Sequence, residues 1–145
     1  VDIEAEDTAI VSLKFTNGAL GLIEATTAIR PKDLEGSISI MGETGSVEIA
    51  GFAVNEMKTW NFSEKIDGDD NVIEKYSVNP PNVYGFGHQQ YYEHVVDCIN
   101  NKTPQLVDGL KGRKSLELIN AIYESIETGK EVSLRFAAKK SKLGQ

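Results

Sequence analysis

The hydrophobic pattern of this chain changes period once, close to residue 80. Before that point apolar residues alternate, and after it they recur every three or four positions. Ala9, Val11, Leu13 and Phe15 point one way while Thr8, Ser12 and Lys14 point the other, the pattern of a half-buried strand. Asn17-Gly18 suits the positive φ angles of a tight hairpin turn. A second strand follows over Ala19–Ala28, with β-branched Ile23, Thr26 and Thr27, until Arg30-Pro31 breaks the pattern. Ile38 and Ile40 alternate with serines, Met41 to Ser46 makes a turn, and Val47 and Ile49 form the return strand. Weaker strands are predicted over Ala53–Trp60 and Val72–Val78, joined by the polar turn Asp67-Gly68-Asp69-Asp70-Asn71. Consecutive strands of this kind form a meander-like sheet.

In the second half Tyr92, Val95, Val96 and Ile99 take helical spacing. Leu116, Ile119, Ile122, Tyr123 and Ile126 take it again over a longer stretch. Asp108 stands where an N-cap belongs and Gly129 where a C′ glycine belongs. Asn100 to Pro104 separates the helices, and a short strand is predicted over Val132–Phe136. Strands followed by helices predict an α+β domain: a mostly antiparallel open sheet with helices packed on one face. The other face, with Ile10, Ser12 and Lys14, is the candidate contact of a homo-oligomer. A chain of 145 residues is the size of one domain and can bury about 70% of its unfolded surface. Residues 1–136 form that expected domain, and 137–145, with Lys139, Lys140 and Lys142, a flexible tail.

Composition excludes several classes. The formal charge of -7 argues against nucleic acid, whose binding needs clustered Lys and Arg. No apolar run is long enough to span a membrane, and no signal-peptide pattern opens the chain. The single cysteine, Cys98, rules out an internal disulfide framework and suits the cytoplasm. The chain opens on Val1 rather than Met, as an excised or processed fragment would.

Gly85-Phe86-Gly87-His88-Gln89-Gln90 imitates a dinucleotide fingerprint and fails it. Gln90 replaces the third glycine, Pro80-Pro81-Asn82 lies where a buried strand should end, and Asp108 reads as a helix cap rather than a ribose acceptor. The run reads instead as a loop feeding a helix N-terminus, with free N–H groups suited to an anionic or hydroxyl-rich ligand. His88 beside it can hydrogen-bond a hydroxyl or move a proton, and Tyr84 can stack on a ring. Arg30 can grip a carboxylate or phosphate, beside Thr26 and Thr27; its plainer role is a surface arginine next to a turn proline. His94 and Cys98 share a helix face but lack further partners for a metal, so Cys98 reads as a small buried residue and His94 as an edge one. Asp2, Glu4, Glu6 and Asp7 read as a solvated acidic run.

Taken in order, several blocks resemble one family. They are Glu6-Asp7-Thr8-Ala9, Phe15 to Ala19, Ile23 to Thr27, the Ile40 to Val47 hairpin, Pro80-Pro81-Asn82-Val83-Tyr84-Gly85-Phe86-Gly87-His88, and Asp108 to Lys114. Together they are similar to the substrate-side, C-terminal domain of Gfo/Idh/MocA oxidoreductases, with its dihydrodipicolinate-reductase-like fold, and most of all to members acting on UDP-linked amino-sugar acids. The resemblance implies a parent enzyme that passes hydride between a sugar carbon and NAD(P) held in an N-terminal Rossmann domain. That domain is absent from this chain, so no cofactor and no catalytic residue are expected here. The family's Glu-Lys-Pro lysine has no counterpart, and neither His88 nor His94 matches its catalytic histidine. What the resemblance allows is contact with a sugar or sugar nucleotide through Thr26, Thr27, Arg30, Asn79, Tyr84, His88 and Gln89. The alternatives are a pairing module that binds no ligand and a stand-alone sugar-nucleotide binding domain.

Overall fold

A computed structural model of the protein describes residues 4–32, 34, 36–82 and 84–135. Five strands come first: β1 (Thr8–Lys14), β2 (Leu20–Thr26), β3 (Ile38–Met41), β4 (Gly45–Ala50) and β5 (Glu56–Phe62). A 3-10 turn at Asp69–Asn71 leads into the short helix α1 (Val72–Lys75), then α2 (Gly87–Asn101) and α3 (Gly109–Thr128). Antiparallel strands in an open sheet, followed by helices, give the expected α+β class. The chain divides into two compact units, one of Val1–Ala9 with Ala25–Glu93, the other of Ile10–Glu24 with His94–Gln145. The expected tail 137–145, Phe136 and Asp2 lie outside the described residues.

The β1–β2 hairpin forms as its alternation requires. Phe15 N–H donates to Ala19 O at 2.9 Å, Gly18 N–H closes the turn on Phe15 O, and Gly18 takes φ 90°, open to glycine. At the open end Thr27 N–H donates to Asp7 O at 2.8 Å, and the Thr8 and Thr26 hydroxyls meet at 2.8 Å. These pairs share one register, which sets Ser12 opposite Leu22 and Lys14 opposite Leu20, all exposed. Ala9, Val11 and Leu13 face the other way, half-buried, whereas Phe15, predicted to join them, is exposed.

The meander is smaller than predicted. Strands β3, β4 and β5 form one three-stranded sheet and β1–β2 a separate pair. Pro31, with no N–H to give, interrupts the chain between them. The register sets Ile38 against Ile49, Ile40 against Val47, and Val47 against Trp60, with a bulge between Glu48 and Ile49. Strand β5 starts at Glu56 rather than Ala53, because Gly51 to Val54 close a turn, with Val54 N–H on Gly51 O at 3.1 Å.

Two predicted strands are corrected. Val72–Val78 is a helical turn, with only an isolated bridge from Ser77 to Glu56. Local side-chain bonding outweighs the β-branched preference of Val72 and Ile73 there: the Asp69 carboxylate accepts Ile66 N–H at 2.8 Å and the Trp60 indole N–H at 2.9 Å, starting a tight helical turn after Gly68. Residues 131–135 form no strand either. Arg135 reaches Glu124 of α3 at 2.5 Å and the Ser133 carbonyl at 3.1 Å, so this segment is held by side chains rather than a ladder. The helix ends match prediction: Asp108 accepts Lys111 N–H at 2.8 Å, and Gly129, with φ 64°, donates to Ser125 O.

A sizeable core is not seen among the described residues. Among the described residues only Ala50, Gly51, Pro80 and Cys98 are buried. The helical stripes are present, yet Tyr92, Val96 and Ile99 of α2 and Leu116, Ile119 and Ile126 of α3 are exposed. Periodicity marks surfaces that favour cover; it does not guarantee that the same chain provides it. No described helix is long and apolar enough to cross a membrane.

The Asp69 junction yields an acid-titration prediction. The Ile66 N–H first, and then the Trp60 indole, hold the Asp69 carboxyl below its ordinary 3.8. A carboxyl lowered on folding stabilises the fold above its unfolded value, and that contribution is lost as pH falls through the folded value. Trp60 is the only tryptophan. Its emission is expected to change with a midpoint below 3.8, and Asp69→Asn to abolish that step. A wild-type midpoint above 3.8 would count against the assignment.

Candidate functional site

Two groups of sequence-predicted residues occupy the first unit. At the exit of β2, the Thr26 hydroxyl accepts Ala28 N–H at 3.1 Å besides meeting Thr8, and the Thr27 hydroxyl reaches Asp7 O at 3.5 Å. The Arg30 Nη1 donates to the carbonyls of Thr27 at 3.1 Å and Ile29 at 2.7 Å. That corner of the guanidinium folds its own turn together, which limits the fork available to an anion.

The second group is the segment from Asn79 to Gln89, anchored at its start. The Asn55 amide donates to Val78 O at 2.8 Å and to Asn79 Oδ1 at 3.1 Å, while its Oδ1 accepts Ala53 N–H at 3.1 Å. Next to it the Ser77 hydroxyl donates to Met57 O at 3.3 Å, and Pro80 is buried. Asn82 then shapes the turn. Its Oδ1 accepts Tyr84 N–H at 3.0 Å and its carbonyl accepts Gly85 N–H at 3.3 Å, with Gly85 at φ 68°. Helix α2 starts at Gly87, so the glycine run opens a helix, as predicted, and among the described residues no parallel strand precedes it.

His88 lies one helical turn beyond Tyr84. Its Nδ1 is 3.1 Å from Tyr84 O, and the two rings meet edge to face at 5.8 Å. Gln89 turns along the helix and donates to Glu93 at 2.8 Å. The structure thus brings Asn79, Tyr84, His88 and Gln89 onto one segment, with Thr26, Thr27 and Arg30 on another. Among the described residues no hydrogen bond or ring contact joins the two groups.

Asn55 escaped the sequence reading. Its signal was local and faint: an asparagine after Gly51-Phe52-Ala53-Val54, where alternation lapses before a strand. His94 also does more than predicted. Its Nε2 accepts Leu106 N–H at 3.0 Å and lies 3.5 Å from the sulfur of buried Cys98, which itself faces Pro104 O at 3.6 Å. This cluster ties α2 to the connector before α3. Among the described residues no three His, Cys, Asp or Glu side chains gather as a metal site.

Residues 2–134 match a family described as oxidoreductase family, C-terminal alpha/beta domain. Two solved structures resemble the chain over most of its length. One is the WlbA dehydrogenase of Bordetella pertussis in complex with NADH and UDP-GlcNAcA, at 42% identity and TM-score 0.79 over 88% of this chain. Another is the WlbA enzyme of Chromobacterium violaceum with the same two ligands, at 43% identity and TM-score 0.80 over 94% of this chain. The chain spans 37% of the length of each. Comparison with curated proteins gives no match.

The histidine geometry fixes a measurable property. A carbonyl only accepts and an amide N–H only donates. Neutral His88 therefore carries its proton on Nδ1, facing Tyr84 O, and leaves Nε2 as an acceptor. Neutral His94 must likewise be the Nδ1–H form, since Nε2 accepts from Leu106. Nitrogen-15 imidazole spectra at alkaline pH are expected to show protonated Nδ1 and bare Nε2 in both rings. An Nε2–H form of either would show that its backbone contact does not persist in solution.

Proposed function

This chain belongs to the Gfo/Idh/MocA oxidoreductase family, and from that premise we propose that it is the substrate-side part of an NAD(P)-dependent dehydrogenase of a sugar nucleotide. The observation that carries this reading is 42% and 43% identity, over 88% and 94% of the chain, to two dehydrogenases that hold NADH and UDP-GlcNAcA. NAD(P), held by a Rossmann domain outside this chain, would accept hydride from a sugar carbon. The residues here would bind and orient. Asn79, Tyr84, His88 and Gln89 line one approach to the sugar nucleotide, with Thr26, Thr27 and Arg30 on another. His88, whose Nδ1 faces Tyr84 O, would use Nε2 to accept a hydrogen bond from a sugar hydroxyl. The glycine run at Gly85 follows a helical turn rather than a buried strand, which favours placing the cofactor elsewhere. On its own the chain would be inactive, and its place of work would be the cytoplasm.

We assign self-association to the outer face of the β1–β2 hairpin. Ile10, Leu20 and Leu22 are 71%, 80% and 69% exposed, between Ser12, Lys14 and Glu24. Apolar residues gathered on one strand face favour burial by a partner.

Two experiments test these readings. The first is a chimera in which this chain replaces the matching C-terminal part of the Bordetella pertussis dehydrogenase. It is expected to produce NADH from NAD and UDP-GlcNAcA. A chimera that folds and binds NADH yet gives no turnover would overturn the substrate assignment. The second is light scattering over a concentration series. A dimer or larger species is expected, shifted toward monomer by Leu22→Glu; a monomer throughout would remove the association proposal.

A further inference from the structure

We propose that Asn55 is a positioning residue that decides which atoms Asn79 offers to a ligand, making Asn79 a reader of acceptor oxygens. This rests on the reading above that Asn79 touches the sugar nucleotide. The inference follows from a relay in which each partner has only one possible role. Ala53 N–H can only donate, so the Asn55 atom 3.1 Å from it must be Oδ1. Val78 O can only accept, so the Asn55 atom 2.8 Å from it must be Nδ2. The two constraints agree and fix the Asn55 amide. The same Nδ2 lies 3.1 Å from the Asn79 side chain, whose facing atom must then accept. Asn79 therefore turns Oδ1 toward Asn55. Its own NH2 is left to point away, on an exposed residue at the start of the candidate loop.

The backbone around Asn55 is built to hold this arrangement. Val54 takes φ 51°, a conformation that β-branched residues rarely adopt. Non-glycine residues in that region persist where surrounding bonds hold them. Here the turn is closed by Val54 N–H on Gly51 O at 3.1 Å, next to buried Ala50 and Gly51, while Pro80 is buried just past Asn79. The segment is thus pinned on both sides of Asn79.

Two outward N–H donors select for a carboxylate, a phosphate oxygen or a hydroxyl lone pair. In a sugar nucleotide the charged acceptors, which bind such donors most strongly, are the sugar acid and the diphosphate. UDP-GlcNAcA, UDP-GlcNAc and UDP as separate probes tell these apart. A loss confined to UDP-GlcNAcA points to the carboxylate, and a loss shared by all three to the diphosphate.

The decisive variant is Asn79→Asp. It keeps the shape and still accepts from Asn55, but turns an oxygen outward where donors stood. Affinity of the chain for UDP-GlcNAcA, read by calorimetry or ligand-observed NMR, is expected to fall about tenfold or more. Asn55→Asp keeps the acceptor for Ala53 and removes both donors. The carbon-13 shift of the Asn79 side-chain carbonyl is expected to move in that variant, and affinity to fall with it. Asn79→Ala should lose the same affinity alone as it does combined with Asn55→Asp. An unmoved Asn79 carbonyl in Asn55→Asp would overturn the relay itself. A moved carbonyl with unchanged affinity in Asn55→Asp, Asn79→Asp and Asn79→Ala, or with no binding even by wild type, would leave the relay standing and overturn the ligand role.

Discussion

Strand β4 is the only one among the described residues paired along both edges, and the first unit is assembled from it. Its backbone is satisfied by β3 on one side and β5 on the other. Each of its residues is half-buried or buried, ending on fully buried Ala50. Gly45 sets how closely β5 can return: a Cβ there would collide with the Phe62 ring and stand 2.6 Å from Asn61 O. The close approach leaves Phe62 edge to face with Trp60 at 5.0 Å. Trp60 gives Asp69 a donor, Asp69 helps fix the turn before α1, and α1 rests on β5. The candidate loop then leaves from the other end of the same strand pair, through Ser77 and Asn55.

Much of this was legible where the determinants are close in sequence. Asn17-Gly18 specifies its hairpin, Met41 to Ser46 its turn, and Asp108 and Gly129 the two ends of α3, because each acts within four residues of its partner. The failures share a cause. Val72–Val78 has strand-forming residues, but a carboxylate on Asp69, set by an indole from another strand, decided its conformation. Asn55 matters through Val78 and Asn79, more than twenty positions away. No local pattern encodes such a pairing. In the candidate segment, the helix opening at Gly87 was readable from sequence, while the Asn55 contacts to Val78 and Asn79 were not.

The exposed stripes on α2 and α3 carry a related lesson. Their spacing is as regular as that of any core-facing helix. A predicted core is a statement about which side chains favour leaving water, and its counterpart surface need not lie in the same stretch of sequence.

The edge formed by β3 has a kinetic meaning. Its four residues, Ile38-Ser39-Ile40-Met41, include no charge and no proline, and Ile38, Ile40 and Met41 are all exposed. Nothing on the strand itself discourages a second chain from pairing there. Capture of β3 by its own β4 is a first-order event across a tight turn, whereas capture by another copy is second-order in chain concentration. The branching ratio between folding and cross-pairing is therefore set by how many chains share the same volume, and the mutual repulsion of a net charge of -7 opposes the wrong branch.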